Sequence, residues 1–575
     1  MDRKAWIAIS LSVAGLFGWQ WYVSKYQTPP APVTVAAAPA PAATALPPGP
    51  SATPALPAAT PSLPVMTARA ESLSGPTAEF VFNNDAGGIE TVNLLQHLGE
   101  NDGSVSLNRD RGMPIGAMGF QPGEVLNGFE MRTDLQKREA SFFKTTADGM
   151  EITKRFTLPA DSDKNRLYTV SLEVSFRNPG ASALQVPAFF VGTGGAAPIH
   201  VSDLPMYNRF DWSHAGKVEK IDVNWFSAGS VPLLGIPLHA ERPLYLESRT
   251  DVQWASVSSQ YFCTIVTAKE PSASVWARRF DTKKTNNTPV FGIQGAVGLS
   301  GFALAPGTTV TKTFEIYVGP KDLSLLRGLG PNQDAVLDFG MFGFVSEFLL
   351  WAMNGLKGWL GSYAAAIIVL TLCIKSALWP IQNKATNEMR KMSSLSPLMT
   401  SLKEKYKDDP QKMNEETMKL YREYGVNPLS GCFPMLIQIP IFFGFYAMLG
   451  TAIELRNSSF FWIHDLSQPD TITHLLGFPI NLLPIIMAGT MIWQMIISPK
   501  SGDANQQRIL YFMPVIFLVF CYNYASGLAL YWTTQNIFSI VQLYLTRNRP
   551  LPTLQKKSAV ARLGSATKKQ KKKKP

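Results

Sequence analysis

The 575-residue sequence predicts a multi-domain chain: a polytopic α-helical membrane bundle, with a five-span core and an N-terminal anchor, joined to a large all-β sandwich. Three observations carry this. Long apolar runs dominate the stretch from about 363 to 546. Between about 75 and 320, apolar and polar residues alternate, as Tyr168, Val170, Leu172, Val174 and Phe176 do against Thr169, Ser171, Glu173 and Ser175; that is a half-buried strand. A further apolar run, 5–23, opens the chain and is long enough to cross about 30 Å of hydrocarbon at about 1.5 Å per residue.

Residues 1–27 are expected to form an uncleaved anchor, with Trp19, Trp21 and Tyr22 as an interfacial belt. A cleaved signal peptide is the alternative, but its small-residue site, Ala36-Ala37-Ala38, lies well past the apolar run. Residues 28–70, almost all Ala, Pro, Thr and Ser, cannot bury a core and predict a semi-extended linker. Residues 71–325 hold the β-domain. Phe314, Ile316 and Val318 repeat the alternation, Asn178-Pro179-Gly180 ends a strand, and long helical patterns are scarce.

Residues 337–361 predict an amphipathic helix. Phe339, Phe342, Phe348, Leu349, Trp351, Leu356 and Trp359 cover most of it, while Ser346, Glu347, Asn354 and Lys357 share one arc. A helix in the membrane interface, its narrow polar face towards water, fits this pattern. So does a buried core helix; the place just before a span favours the interface. The insertion into the membrane proper covers 362–546, with spans expected at 363–379, 433–449, 475–497, 510–524 and 528–545. Pro479 and Pro484 interrupt the fourth of the six spans and leave its ends open. Between the first two core spans, residues 383–425 predict a helical hairpin. Met392, Leu395, Leu398, Met399, Leu402 and Tyr406 line one arm, and Met413, Leu420, Tyr421 and Tyr424 the other. Such a methionine-rich stripe either binds partners or packs the two arms together.

Charge orients the bundle. The loop 380–429 carries nine Lys or Arg, and residues 547–575 form a basic tail with eleven and no acid. The loop 454–471 has only Arg456. Six spans with both termini in the cytoplasm put the basic segments inside and the β-domain outside, in the periplasm of a two-membrane cell. The net charge of +11 sits largely in the tail. A solvated end, contact with anionic lipids, and contact with RNA in a large partner all fit it.

Enzyme motifs are missing from the sequence: there is no HExxH, GxSxG or P-loop. Gly192-Thr-Gly194-Gly-Ala-Ala197 matches the loose dinucleotide pattern, but Pro198 follows at once, so no helix opens there to meet a phosphate. Cys263, Cys373, Cys432 and Cys521 show neither a disulfide framework nor a zinc spacing. No cofactor, metal or catalytic residue is expected. The sharper feature is Lys375, inside the first core span. An intramembrane lysine costs about 2.5–3.5 kcal/mol on insertion scales and tends to face a wet cavity, although Lys375 also lies close enough to Trp379 to snorkel to the interface. Gln438, Gln494, Thr533, Thr534, Gln535 and Asn536 add polar groups to other spans, and none of these spans carries an acid. A proton relay usually needs such an acid. A cationic, otherwise neutral cavity instead attracts acidic or polar peptide segments.

Four stretches carry a resemblance. Asn427-Pro-Leu-Ser-Gly-Cys-Phe-Pro-Met-Leu-Ile-Gln-Ile-Pro-Ile-Phe442, Phe461-Trp-Ile-His-Asp-Leu466, Phe512-Met-Pro-Val-Ile-Phe517 and Ser526-Gly-Leu-Ala-Leu-Tyr531 resemble the signatures of the YidC-type membrane protein insertases, in order and spacing, over about 340–550. The anchor, linker and β-domain resemble the Gram-negative form, whose large periplasmic domain is a β-super-sandwich. The resemblance implies insertion and folding of inner-membrane proteins, alone or beside the Sec translocon. A hydrophilic groove, without nucleotide or metal, would hold the client. The family's groove arginine falls on Lys375, a point charge where a planar fork is usual. Thr371, Gln438, Gln494 and Trp532 fall on other groove or client-facing positions, Phe442 on a contact with the client's apolar segment, and Ile439 where some relatives have methionine. Implied partners are nascent membrane-protein clients, the Sec translocon, anionic lipids, and the ribosome and targeting machinery through the hairpin and basic tail. Two other functions stay open on the residues: a channel or small-solute transporter, and a membrane-anchored carbohydrate-active or carbohydrate-binding protein working through its β-domain.

Overall fold

The structure is a computed structural model. It describes residues 69–99, 103–109, 112–160, 163, 166–200, 203–230, 237–282, 290–407, 409–426, 433–475, 478–498 and 504–547. The expected anchor, almost all of the linker, residues 427–432 of the first signature stretch and the tail beyond Arg547 lie outside these residues. The chain divides into two compact units. One runs to Pro320 and includes Arg327–Val336; the other comprises Lys321–Leu326 and the chain from Leu337 onward.

The first unit is built of antiparallel strands. A four-stranded meander (Ala70–Ser74, Ala78–Asn83, Gly88–Leu98, Ser104–Leu107) accompanies a twelve-stranded sheet. The main path of the large sheet runs Lys217–Asp222, Arg209–His214, Tyr245–Ser258, Phe262–Asp281, Thr309–Pro320, Thr169–Arg177, Glu151–Thr157, Glu139–Thr145 and Glu130–Asp134. The alternation seen in the sequence is the pleat of Thr169–Arg177, where Val170, Leu172, Val174 and Phe176 are fully buried. Phe82 of the meander meets Phe156 of the large sheet at 5.4 Å between ring centroids, and Phe142 meets Phe156 at 5.7 Å, so the two sheets share one aromatic core. The glycine run of the loose dinucleotide pattern lies in the strand Phe189–Ala196, where a side chain at Gly192 would stand 2.6 Å from Met113.

One core residue has the wrong chemistry for its place. Along Glu151–Thr157, Ile152, Lys154 and Phe156 point inward together, and Lys154 is 0% exposed. Its ammonium donates to the carbonyl of Gly87 and lies 5.2 Å from the ring centroid of Phe129 and 5.7 Å from that of Phe156. Gly87 takes φ +57°, and the Phe129 ring lies 2.8 Å from where its Cβ would be, so only glycine fits. Burial pushes the lysine down from its usual 10.5 to about 7.

The second unit is helical. Helix α1 (Gly343–Leu360) ends at Gly361 in the left-handed region, φ +73°. Leu349, Leu350 and Met353 face the protein, whereas Phe344, Phe348, Trp351 and Trp359 form an exposed stripe. Of the expected polar arc, Asn354 and Lys357 are exposed, and Ser346 departs from it. Ser346 is fully buried and donates to the carbonyl of Gly444 at 3.0 Å, and Asn354 donates to Glu454 at 3.2 Å. Gly444 admits this approach because a Cβ there would lie 2.8 Å from Val345.

Helix α2 (Tyr363–Ser394) follows, N-capped by Ser362, with Pro380 inside it. Helices α3 (Ser396–Lys405) and α4 (Pro410–Tyr424) complete the hairpin, which thus grows directly out of α2. Asp409 caps α4 at its start and Gly425, φ +66°, ends it. Leu395, Tyr421 and Val426 form the hairpin's core, with Met392, Met399 and Tyr424 packed on it. Those two methionines join the arms; Leu398 and Met418 stay exposed.

Helices α5 (Phe433–Thr451), α6 (Leu482–Ile497), α7 (Ala504–Cys521) and α8 (Ser526–Arg547) complete the unit. Five spans are expected from the sequence in this unit, and the helices found there differ in length and apolarity. Among the described residues only α2 is both long and apolar enough to cross a bilayer by itself; Leu436–Thr451, Leu482–Ile497 and Phe512–Cys521 are shorter apolar helices. The stretch expected as a span at 475–497 is part hairpin: Thr471–Leu475 pairs with Phe478–Asn481, and helix begins only at Leu482. Pro479 favours the extended strand there, and Pro484 falls in the first turn of α6, where its missing N–H leaves no gap.

The buried lysine generates a prediction. Between about 7 and 10.5 the unfolded chain keeps a proton that the folded core gives up, so its penalty is complete below about 7 and fades as pH rises. A depression of this size is on the order of 5 kcal/mol. Lys154→Met is expected to raise the thermal midpoint of the β-unit in the full chain at pH 7, and its advantage should shrink by pH 10. A constant advantage across that range contradicts the account.

Candidate functional site

The site is a polar cavity of about 310 Å³ between α2, α5, α6 and α8, lined among others by Lys375, Gln438, Gln494, Gln535, Ser539 and Gln542. Each comes from an apolar helix whose remaining faces pack or lie exposed. On α8, Gln535, Ser539, Gln542 and Thr546 recur at steps of four, three and four, which is one helical face. On α2, Lys375, Gln382, Thr386 and Met389 recur at seven, four and three, and all line the cavity.

Lys375 is 6% exposed and donates to Ser539 Oγ at 3.2 Å. No acid lines the cavity or lies within ion-pair distance of Lys375 among the described residues. Gln438 donates to Tyr531 Oη at 2.9 Å and to Gln535 Oε1 at 3.1 Å, binding α5 to α8. Asn536 donates to Thr490 Oγ1 at 3.1 Å, binding α8 to α6. At the end near the hairpin, Gln542 donates to Asn383 at 3.3 Å, and Arg390 donates to the Thr546 carbonyl at 3.3 Å. The cavity wall is therefore a hydrogen-bonded frame, and Lys375 is the one cation among the described residues that line it.

Of the residues expected at the site, the structure brings together Lys375, Gln438 and Gln494. Thr371 is one turn before Lys375, but its hydroxyl donates back to the Ile367 carbonyl at 2.6 Å and is 2% exposed. Phe442 and Trp532 meet edge to face at 4.7 Å between centroids, and Phe517 lies 4.4 Å from Trp532. They form an aromatic cluster apart from the cavity lining. Ile439 is exposed. The sequence reading passed over Gln382, Thr386, Ser539 and Gln542. Their signal was their three- and four-residue spacing from Lys375 and Gln535.

The frame generates a prediction. In detergent, Asn536→Leu should lower stability by about 1 kcal/mol, the usual size of an interhelical hydrogen bond between apolar helices. Adding Thr490→Val should cost less than it does in the parent chain, because the hydroxyl, which still donates to the Met487 carbonyl at 2.7 Å, has already lost its Asn536 donor. Strictly additive thermal shifts would show that the two do not act as a pair.

Comparison with known proteins places the chain. Residues 76–352 match the family model of the YidC periplasmic domain, and residues 355–552 match that of the 60Kd inner membrane protein. The membrane protein insertase YidC of Syntrophus aciditrophicus is 30% identical over 95% of this chain and 99% of its own. That of Pelobacter propionicus is 33% identical over 72% of each chain. A crystal structure of an active YidC insertase with its first transmembrane domain resolved covers 84% of this chain and 94% of its own, at 19% identity and a TM-score of 0.34. Two adjoining family models and near-complete coverage by a 30% identical relative lead to one conclusion: this chain belongs to the YidC family of membrane protein insertases, inner-membrane proteins with a periplasmic domain.

Proposed function

We propose that this protein inserts integral proteins into the inner membrane and helps them fold, alone or with the Sec translocon. The cavity between α2, α5, α6 and α8 would receive the polar segment of the client that must be translocated. The observation that carries this reading is a buried cation in a neutral polar frame. Lys375 supplies attraction for acidic tails, while Gln438, Gln494 and Gln535 offer hydrogen bonds in place of water. Thr371 would shape the wall beside Lys375. Phe442, Trp532 and Ile439 would meet the client's apolar segment as it leaves for the lipid.

The topology proposed with it has six spans: an anchor in 1–27 and a five-span core in 362–546. Both termini lie in the cytoplasm, with the 71–325 domain in the periplasm on its 28–70 linker. The helix at 337–361 lies in the outer interface with its exposed aromatic stripe towards lipid. The hairpin at 383–425 and the tail at 547–575 would face the ribosome, the targeting machinery and anionic headgroups. A proton-coupled transporter gains no support from a cavity whose lining has no acid.

Charge tests the mechanism. Lys375→Arg should insert clients normally. Lys375→Ala and Lys375→Glu should slow clients with acidic translocated tails roughly tenfold or more, since a hydrogen bond to a charged group contributes about 1.5–3 kcal/mol. Normal rates for Lys375→Ala with every such client would overturn the role of charge. A stalled nascent membrane protein should crosslink from Gln438 and from Trp532. Deletion of residues 75–320 should leave the essential function intact; its loss would favour a protein that works through its β-domain.

A further inference from the structure

The geometry points to a membrane-interface anchor in the β-hairpin Thr471–Leu475/Phe478–Asn481, whose apolar tip dips into the headgroup–acyl boundary of the outer leaflet. This rests on the six-span reading. Four observations converge on it.

First, the strand ends are apolar and bare. Leu475 and Phe478 face each other across the strands, 64% and 73% exposed, and Ile472 is exposed on the same hairpin. Second, nothing charged interrupts the surface: from Thr471 to Pro499 the sequence has no Asp, Glu, Lys or Arg. A hairpin that lives in water has no need of such a composition.

Third, α6 is short. Its sixteen residues give about 24 Å of helix, against about 30 Å of hydrocarbon. Its own exposed residues, Ile485, Ile492, Trp493 and Ile496, form the apolar surface that the hairpin continues without a break in the chain. A mismatch of this kind is relieved by thinning the bilayer or by apolar protein at the interface. The hairpin provides the second. It is a two-stranded ladder with no third strand among the described residues, so it belongs at the hydrated boundary, not in the hydrocarbon centre.

Fourth, its base is fixed to the bundle. Asn481 donates to the Tyr522 carbonyl at 2.6 Å, and Tyr522 Oη donates to the Pro479 carbonyl at 2.7 Å. Asp470 accepts from Leu483 N at 2.6 Å and from Trp462 Nε1 at 3.0 Å. The base, and with it the paired strand ends Leu475 and Phe478, is therefore held at a set height relative to α6.

Spin labels test this in the full chain. Leu475→Cys and Phe478→Cys are made in a Cys373→Ser, Cys432→Ser background; Cys263 and Cys521 are buried. Ile472→Cys is a third site, should either of the others fold poorly. Labels on α6 (Ile492→Cys) and on α3 (Leu398→Cys) serve as the lipid and water references. In vesicles of phosphatidylethanolamine and phosphatidylglycerol, power saturation compares oxygen with a water-soluble nickel chelate. The hairpin labels should favour oxygen several-fold more than the α3 label does, at a shallower depth than the α6 label. If they match the α3 label while Ile492 reports lipid, the anchor is refuted and the spans stand. If Ile492 also reports water, the span reading falls and the anchor with it.

Discussion

Inside an apolar helix bundle a polar group has no water to bond, so each must find its partner within the protein. That constraint organises the helical unit. The polar face of α8 gives Gln535 to Gln438, Asn536 to Thr490 and Gln542 to Asn383, and these three contacts bring α5, α6 and α2 around one axis. Lys375 then sits where four helices already meet, with Ser539 for company. Remove the constraint and the helices have little to choose one neighbour over another, since lipid is as apolar as leucine. The cavity is the space left when polar groups are satisfied along a wall but no side chain fills the middle.

The β-unit meets the same problem at a single point and answers it differently. Lys154 has no such network among the described residues. It has one carbonyl and two aromatic faces, and it reconciles itself to the core by giving up its proton more readily. One solution distributes polarity along a helix face and keeps it accessible. The other seals it, and suits a residue with a structural place but no traffic.

How much of this was legible in the sequence depended on whether the cue was local. The strand Thr169–Arg177 could be read because side-chain period is a property of neighbouring residues. Lys375, Gln438 and Gln494 stood out because a polar residue is conspicuous in an apolar run. Lys154 alternates with Ile152 and Phe156 on the buried face, a place that a lysine's charge does not announce. Ser346 was misplaced because a helical wheel records polarity and not partner; its carbonyl acceptor lies 98 residues away. Strand and helix within 475–497 could not be told apart by hydropathy, which is blind to the hydrogen bonds of Tyr522 that hold the hairpin. The aromatic cluster of Phe442, Phe517 and Trp532 needed three helices in place before it existed.

Pro380 gives the long helix α2 a mechanical character. Proline has no N–H, so the bond that would close the turn on Ser376 is missing one residue beyond Lys375. The helix is continuous but has one turn short of a hydrogen bond, with the cation on one side of it and an outer rod that runs on into α3 and α4 on the other. Asn383 and Arg390 fasten the outer rod to α8 on the far side of that turn. The hairpin and the cation therefore share one helix, with its weakest turn between them and two hydrogen bonds to α8 on the hairpin's side of that turn.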